Sequence, residues 1–310
     1  MKVLVVCSSK QGDVAPFVKE QVDALCLLGI DMDYYLIEKK GIKGYLASLA
    51  GLKAKINRYH PDLVHAHYGL SGLLANLQRK IPVITTFHGS DINDPKVRRW
   101  SKIAIWLSRY SIFVSRKTIN IACPRKNYGL IPCGVDTELF HPIDKSEARR
   151  LLGWSDEKYT ILFAGAFDNE VKNYPLAKAA TDQLSDVRLI ELSGYSREQV
   201  NLLMNAVDIA LLTSFSEGSP QFIKEAMACN CPIVATDVGD VRELIENVDG
   251  CYCTSFSVQE VTSKLHLALG FVQEKGRTSG RDKLINELLE QATVANRIST
   301  VYKQCINNHD

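Results

Sequence analysis

The sequence predicts two α/β domains in tandem, each with a mostly parallel sheet that helices cover on both faces. Short β-branched apolar runs alternate with longer helical patterns, and this alternation restarts after a stretch rich in proline and glycine at residues 131–146. The length of 310 residues also suits two domains. We expect the first domain at residues 1–138, the second at 139–285, and a terminal helix at 286–310 that packs back across the domains.

The first domain begins with an apolar strand and continues as alternating helices and strands. The strand candidates are residues 2–6, 32–37, 63–67, 82–87, 112–115 and 130–133. The helical patterns are residues 14–29, 44–60, 70–80 and 96–110. Gly29 is a typical helix stop.

The second domain repeats the pattern with five strands. Its strand candidates are residues 160–165, 187–192, 208–213, 232–236 and 250–253. Its helical patterns are residues 146–153, 175–184, 196–207, 219–229, 241–246 and 257–269. Residues 281–304 carry an apolar stripe without a strand partner, so this helix must pack on the domains already built. Small ligands bind at the carboxyl ends of such sheets, which predicts a site in a cleft between the two domains.

The near-neutral net charge of +2 conceals two halves of opposite sign. Residues 1–140 hold 20 basic and 11 acidic side chains, whereas the remainder holds 17 and 24. Residues 95–135 alone contain nine lysines or arginines and no acid. A solvated basic helix face would explain this stretch. The functional alternative is docking of residues 96–126 on an anionic membrane or an anionic glycan, while no nucleic-acid-binding motif accompanies the charge.

Cysteine usage and hydropathy indicate a cytoplasmic protein. The nine cysteines are odd in number and scattered, which favours reduced thiols. No apolar run approaches the roughly 18 residues of a membrane span. The pairs Cys229/Cys231 and Cys251/Cys253 have C-x-C spacing, which differs from the usual C-x2-C of zinc sites, so we expect them to pack as small residues.

Residues 214–240 form the most informative segment, SFSEGSPQFIKEAMACNCPIVATDVGD. Glu217 follows a strand, and Glu225 lies in a helix expected to start with Ser219 as N-cap and Pro220 at its first position. The amides of that first turn suit a phosphate. The spacing keeps the two carboxylates from the same atom, so they suit two separate groups of hydroxyls, such as those of a sugar and a ribose.

This segment resembles the retaining glycosyltransferases of family four, which have the GT-B fold of two Rossmann-like domains. EGSPQFIKEAMACNCPIVA is similar to the family's E-x7-E block, and IPCGVDTELFHP is similar to its IPNGVDxxxFxP. PDLVHAHYG and HGSD in the first domain resemble the family more weakly.

The resemblance implies that the second domain binds a nucleotide sugar. Glu217 would then hold the transferred sugar, Glu225 the ribose, and the backbone of Gly218, Ser219 and Pro220 the sugar and diphosphate. Lys172 matches the family's phosphate-binding lysine and would offset charge on the leaving diphosphate. One departure stands out: the family has arginine six residues before that lysine, where this chain has Ala166. Three residues could supply part of the missing contact: Asn173, Arg188 or Arg197.

The same resemblance implies roles in the first domain. His88 would face the donor sugar, Asp91 would lie on the acceptor side, and His67 would support them. His65 shares a strand face with His67 and is expected in the core. Gly12 matches the family's glycine-containing loop at the diphosphate.

The implied activity is transfer of a sugar with retention, from a UDP-hexose or UDP-N-acetylhexosamine to a glycan or lipid-linked acceptor in cell-surface polysaccharide synthesis. Since Lys172 and helix amides explain the charge balance, we expect no metal and no cofactor. The expected location is the cytoplasm, with peripheral contact at the inner face of the cell membrane. The alternatives are a noncatalytic nucleotide-sugar or glycan-binding protein of the same fold, and a GT-B epimerase or phosphorylase.

Overall fold

A computed structural model describes residues 1–9, 13–39, 41–154 and 158–307. The chain divides into two compact units. Unit 1 comprises Met1–Gly134 and Gln291–Asp310, and unit 2 comprises Val135–Glu290. The borders between the units lie at 134/135 and 290/291, four and five residues from the predicted borders at 138/139 and 285/286. The terminal helix belongs to unit 1.

The sheet of unit 1 is six-stranded and parallel, in the order β2-β1-β3-β4-β5-β6. Its strands are β1 (Lys2–Ser8), β2 (Asp31–Ile37), β3 (Leu63–His67), β4 (Val83–Phe87), β5 (Tyr110–Phe113) and β6 (Tyr128–Leu130). The strand predicted at residues 130–133 was wrong in its bounds: it begins two residues earlier and ends three residues earlier. Pro132 cannot continue the strand, because it has no N–H for the ladder. Ile131 makes the last contact, donating its N–H to the carbonyl of Phe113 at 3.0 Å.

Proline, glycine or a capping side chain marks some of the helix ends in unit 1. They are α1 (Pro16–Leu27), α2 (Gly41–Ala47), α3 (Leu49–Tyr59), α4 (Gly69–Asn76), α5 (Ser90–Asn93), α6 (Pro95–Leu107) and α7 (Arg116–Ala122). Pro16 occupies the first turn of α1, and Gly29 stands after its end with φ +78°. The side chain of Asp94 caps α6 by accepting the N–H of Lys96 at 2.8 Å.

The sheet of unit 2 is five-stranded and parallel, in the order β11-β10-β9-β7-β8. Its strands are β7 (Tyr159–Phe163), β8 (Val187–Glu191), β9 (Ile209–Leu212), β10 (Ile233–Thr236) and β11 (Cys251–Thr254). Its helices are α8 (Lys145–Leu151), α9 (Tyr174–Thr181), α10 (Arg197–Ala206), α11 (Gln221–Ala228), α12 (Val241–Ile245), α13 (Val258–Lys275) and α14 (Gly280–Asn286). A 3₁₀ turn, Glu170–Lys172, precedes α9.

The start of α11 differs from the sequence-based expectation. Pro220 is the N-cap, with φ −70° and ψ 121°, and no side chain caps the helix. Since Pro220 itself has these extended backbone angles, the first helical residue is Gln221 and the cap position falls one residue after Ser219. The predicted N-cap role of Ser219 was therefore wrong.

The terminal helix, α15 (Gln291–Asn307), supplies one side of the core of unit 1. Its apolar stripe includes Val294, Ile298 and Tyr302, which pack with Val3 and Leu63 of the sheet. Tyr302 is fully buried. The stripe seen in the sequence thus finds its partner in the first sheet.

Candidate functional site

Lys172 and Glu217 form an ion pair at the carboxyl edge of the unit 2 sheet. Lys172 Nζ lies 2.7 Å from Glu217 Oε1, and about a fifth of each side chain remains exposed. The two loops are joined by their backbones: Phe215 donates its N–H to the carbonyl of Val171 at 2.9 Å. The hydroxyl of Thr213 donates to the carbonyl of Lys172 at 2.9 Å. A cation and a carboxylate are therefore held side by side and accessible to a ligand.

Glu225 is more buried than Glu217 and forms an ion pair with Arg197. Its side chain is almost fully buried, and Arg197 Nη2 lies 2.8 Å from Glu225 Oε1. The guanidinium of Arg197 stacks 4.7 Å from the centre of the Phe140 ring, which fixes its position from the other side. Because an unpaired buried carboxylate is costly, contact with Arg197 offsets part of the cost of burying Glu225. The sequence had suggested Arg197 only as a replacement for the missing phosphate ligand.

The loop between Glu217 and Ser219 rests directly on the backbone at Gly239. Gly239 has φ +57°, and a Cβ there would lie 2.4 Å from the carbonyl oxygen of Gly218. Only glycine fits this position without strain or displacement. Gly239, near the end of the 214–240 segment, therefore supports the loop that carries Glu217.

A buried lysine and a buried aspartate lie behind this loop. Lys224 is fully buried, and its Nζ donates to Gln221 Oε1 at 3.1 Å. Burial raises the pKa of Asp240 to about 6, although the charge of Lys224 acts in the opposite direction. The sequence analysis gave neither residue a role, because nothing in the local pattern distinguishes them from surface charges.

The three residues considered as replacements for the family arginine at Ala166 make other contacts in unit 2. Arg197 is engaged with Glu225, and the guanidinium of Arg188 lies 4.7 Å above the ring of Trp154. Asn173 adopts a left-handed conformation with φ 55° at the start of α9. All three have structural tasks within unit 2.

Two buried histidines of unit 1, His65 and His67, have different hydrogen-bond partners. His65 is buried, and its ring nitrogens lie 2.6 Å from the hydroxyl of Tyr302 and 2.7 Å from that of Thr86. Both nitrogens are thereby satisfied within the core, as the sequence favoured. His67 instead faces the His88 ring, with Nδ1 and Nε2 2.9 Å apart.

The proton arrangement of this pair follows from burial. Burial lowers the pKa of His67 to about 3, so its ring is neutral near pH 7. Its Nε2 is buried without a hydrogen-bond partner. Since a buried unpaired N–H is rarer and costlier than a buried unpaired acceptor, the proton belongs on Nδ1, donating to His88. A neutral His88 then carries its own proton on Nδ1, 3.7 Å from the sulfur of Cys133.

Asp91 organises the loop that carries His88. Its carboxylate accepts three backbone N–H groups, from Gly69 at 2.9 Å, Gly89 at 3.0 Å and His88 at 3.1 Å. Burial raises the pKa of Asp91 to about 6, and these hydrogen bonds moderate the rise. The residue therefore anchors the start of α4 and the turn after β4.

A cavity of about 790 Å³ opens within unit 1 beside these residues. Its described lining includes Asp13, Tyr68, Ser90, Asp91 and Asp94. The size suits a sugar-sized ligand, and the lining offers hydroxyl and carboxylate oxygens. Gly12, which the sequence analysis placed at the diphosphate, lies outside the described residues.

Cysteines and acids form no metal centre in the part of the chain that the structure describes. No three His, Cys, Asp or Glu side chains there converge as ligands. Burial raises the pKa of Cys231 to about 11 and of Cys251 to about 12, as for inert packed thiols. One Asp-x-Asp pattern lies on β2, where Asp33 pairs with Lys55.

Two family models match this chain, one in its first half and one in its second half. The model of Glycosyltransferase Family 4 matches residues 2–139, and that of Glycosyl transferases group 1 matches residues 147–269. The chain belongs to glycosyltransferase family four. Apart from Met1, the two models leave residues 140–146 and 270–310 of this family-four chain unmatched.

Curated relatives of this family-four chain are distant and longer. The teichuronic acid biosynthesis glycosyltransferase TuaC of Bacillus subtilis, described as putative, is 26% identical over 60% of this chain and 55% of its own length. The amylovoran biosynthesis glycosyltransferase AmsK of Erwinia amylovora is 27% identical over 61% of this chain and 56% of its own length. The chain thus spans little more than half of these relatives.

Solved structures share the fold at low identity. Sucrose-phosphate synthase from Thermosynechococcus elongatus matches with a TM-score of 0.86 at 17% identity, covering 98% of this chain and 99% of that one. Anabaena HepE in complex with UDP and glucose matches with a TM-score of 0.76 at 17% identity, covering 98% of this chain and 100% of that one. The predicted GT-B fold class of two Rossmann-like domains is confirmed.

Proposed function

We propose that this protein is a retaining glycosyltransferase that uses a UDP-hexose or UDP-N-acetylhexosamine. The acceptor would be a glycan or lipid-linked glycan in cell-surface polysaccharide synthesis. The observation that carries the proposal is the pairing of Glu217 with Lys172 and of Glu225 with Arg197 at one end of the unit 2 sheet. Relatives named for teichuronic acid and amylovoran biosynthesis, and the HepE complex with UDP and glucose, support the donor and acceptor classes.

In this proposal the two carboxylates, Glu217 and Glu225, bind different parts of the donor. Glu217 accepts hydroxyls of the transferred sugar, while Glu225 keeps one oxygen for Arg197 and offers the other to the ribose. Lys172 has three N–H donors, so it can hold Glu217 and still contact the diphosphate. The backbone of Gly218, Ser219 and Pro220 contacts the sugar and diphosphate, and the amides of the first turn of α11 add positive potential.

Transfer then proceeds on one face of the sugar. The bond between the anomeric carbon and the diphosphate oxygen breaks, and the acceptor oxygen forms a bond to the same carbon from the same side. The acceptor proton passes to the departing diphosphate, giving UDP and a glycoside of retained configuration. Lys172 and the helix amides stabilise the negative charge that develops on the diphosphate, so the proposal requires no metal or cofactor.

The acceptor binds in the cavity of unit 1 in this scheme. Tyr68 and Ser90 line it and can donate or accept hydrogen bonds with sugar hydroxyls. Asp91 holds the His88 loop, and His67 orients the His88 ring toward the donor sugar. Asp91 and His67 would thus act as positioning residues on the acceptor side, and His88 as the group near the reacting carbon.

The compartment proposed for this reaction is the cytoplasm. None of the nine cysteines, all within the described residues, forms a disulfide, and several are buried with raised pKa values. Reduced thiols in this number are typical of a reducing compartment.

Release of UDP from a panel of UDP-sugars, with and without glycan acceptors, tests the proposal. Glu217→Gln should lower kcat/KM by roughly 10²–10³-fold because it removes a charge beside the donor sugar. Glu274→Gln, an exposed glutamate of α13, is the matched control and should retain full activity. Unfolding curves of both variants check the fold.

Three results would contradict the proposal in different ways. Binding of UDP without hydrolysis or transfer from any donor would favour a noncatalytic binding protein. An inverted anomeric configuration of the product, measured by NMR, would refute retention. Loss of activity with a chelator, restored by Mg²⁺ or Mn²⁺, would refute metal independence.

A further inference from the structure

Helix α6 of unit 1 presents large apolar side chains to solvent at its carboxyl-terminal end. Ile103 is 40% exposed and Trp106 is 78% exposed. Residues three apart lie on the same helix face, so the two side chains form one patch. The opposite face is buried through Ser101 and Ala104. Packing within unit 1 therefore does not account for an indole and a branched aliphatic side chain on the outer face.

Basic side chains surround this patch on two sides. A cavity of about 580 Å³ beside Trp106 is lined by Lys102, Arg125 and Lys126. We call the surface formed by Lys102, Ile103, Trp106, Arg125 and Lys126 the Trp106 face.

A second cavity, of about 360 Å³, is also lined by Trp106, together with Arg79, Lys80 and Arg109. The indole thus lines two concave sites that carry positive charge. Concave basic sites of this size suit anionic phosphate groups, and an indole prefers the boundary between water and hydrocarbon.

We propose that the Trp106 face docks unit 1 on a bilayer containing anionic phospholipids. Trp106 and Ile103 would insert at the boundary between the lipid headgroups and the acyl chains, and the flanking cavities would receive lipid phosphates. A nucleic acid would use the same charge and could stack on Trp106. It offers nothing to Ile103, whose aliphatic side chain gains by leaving water for hydrocarbon.

The position of the face along α6 relates docking to the proposed acceptor cavity. Val97, at the start of the helix, lines the cavity that holds Asp91, whereas Trp106 lies near the end. At 1.5 Å per residue these positions are about 14 Å apart along the axis. An acceptor attached to a bilayer at the Trp106 face would therefore be able to reach the cavity that holds Asp91. Docking itself does not depend on the proposed chemistry.

Co-sedimentation with vesicles tests the proposal on the full chain. The protein should bind vesicles of phosphatidylcholine mixed with phosphatidylglycerol and not vesicles of phosphatidylcholine alone. Binding should weaken as ionic strength rises from roughly 0.01 M to 0.15 M, because the screening length falls from about 30 to 8 Å. Trp106→Ala should reduce the partition coefficient roughly tenfold. Lys102→Ala should reduce it about fivefold.

Two further variants separate the bilayer from other partners. Ile103→Ser should weaken vesicle binding and leave any binding to duplex DNA unchanged. Leu267→Ala on α13 of unit 2, which removes a side chain that is 50% exposed, is the control and should bind like the wild type. Brominated acyl chains should quench the fluorescence of the wild type, and Trp106→Phe should lose this quenching.

Equal binding to neutral and anionic vesicles, or wild-type binding by Trp106→Ala, would overturn the proposal. Tight binding to duplex DNA that Lys102→Ala weakens, without vesicle binding, would assign the face to nucleic acid instead. Because the readout is binding, a failure here leaves the glycosyltransferase proposal standing, and loss of UDP-sugar turnover leaves the docking proposal standing.

Discussion

Substitution of Gly239 by alanine tests whether loop support is essential for donor binding. The substitution has two costs in this structure. The residue has φ +57°, a conformation that costs an alanine about 1–2 kcal/mol. The new Cβ would also lie 2.4 Å from the carbonyl oxygen of Gly218. A comfortable C···O contact is about 3.3 Å, so the loop carrying Glu217 must move by about 1 Å.

A displacement of that size matters more for catalysis than for folding. Misplacement by about 1 Å costs on the order of 100-fold in rate, which corresponds to about 2.7 kcal/mol of transition-state stabilisation. We therefore expect Gly239→Ala to remain folded and to lose at least about 100-fold in kcat/KM for UDP-sugar turnover. Affinity for UDP, measured by calorimetry, should fall less, because Lys172, Glu225 and Arg197 lie outside the displaced loop.

Gly276→Ala is the matched control for backbone strain. Gly276 has φ +78° at the end of α13, and a Cβ there would meet nothing within 4 Å. Urea unfolding should show that both variants lose the same 1–2 kcal/mol from backbone strain, with any excess in Gly239→Ala due to the contact. If the kinetics of Gly239→Ala match those of Gly276→Ala, the loop does not depend on Gly239 and the reasoning fails.

Three other predictions follow from the buried charges and rings. Arg197→Ala should reduce the free energy of unfolding by about 3 kcal/mol by leaving Glu225 buried and unpaired, and adding Glu225→Gln should recover most of the loss in urea unfolding. Deprotonation of Asp240 is disfavoured in the fold, where its pKa is about 6, so wild-type stability should fall relative to Asp240→Asn by up to about 3 kcal/mol between pH 4 and 7. Nitrogen-15 NMR should find His67 neutral and protonated on Nδ1 from about pH 5 to 8, since its pKa is about 3.

Each of these predictions has a contrary result. Additive effects of Arg197→Ala and Glu225→Gln would mean that the two residues do not stabilise each other. A stability difference for Asp240→Asn that stays constant with pH would mean that the carboxyl titrates as in the unfolded chain. A proton on Nε2 of His67 would reverse the hydrogen bond to His88 and with it the proton position facing Cys133.

Residues 214–240 show how far local pattern reaches. Spacing and resemblance predicted donor-binding roles for Glu217, Glu225 and Lys172, and these roles stay predictions. The structure places each residue at the carboxyl edge of the unit 2 sheet or in the helix beside it. The same pattern was wrong about Ser219, because Pro220 has extended rather than helical backbone angles and the helix starts one residue later. It did not reveal that Arg197, 28 residues before Glu225, pairs with that glutamate.

Strands, helices and the doubling of the α/β pattern could be predicted because apolar periodicity and turn residues act over a few positions. Partners at long range could not, since a side chain meets its neighbour only after the chain has folded. His65 lies 237 residues from Tyr302, yet their side chains share a hydrogen bond in the core. The same holds for Gly239 against Gly218 and for the basic cavities beside Trp106. Composition predicted a basic stretch, and packing alone left Ile103 and Trp106 on the outside of α6 among those charges.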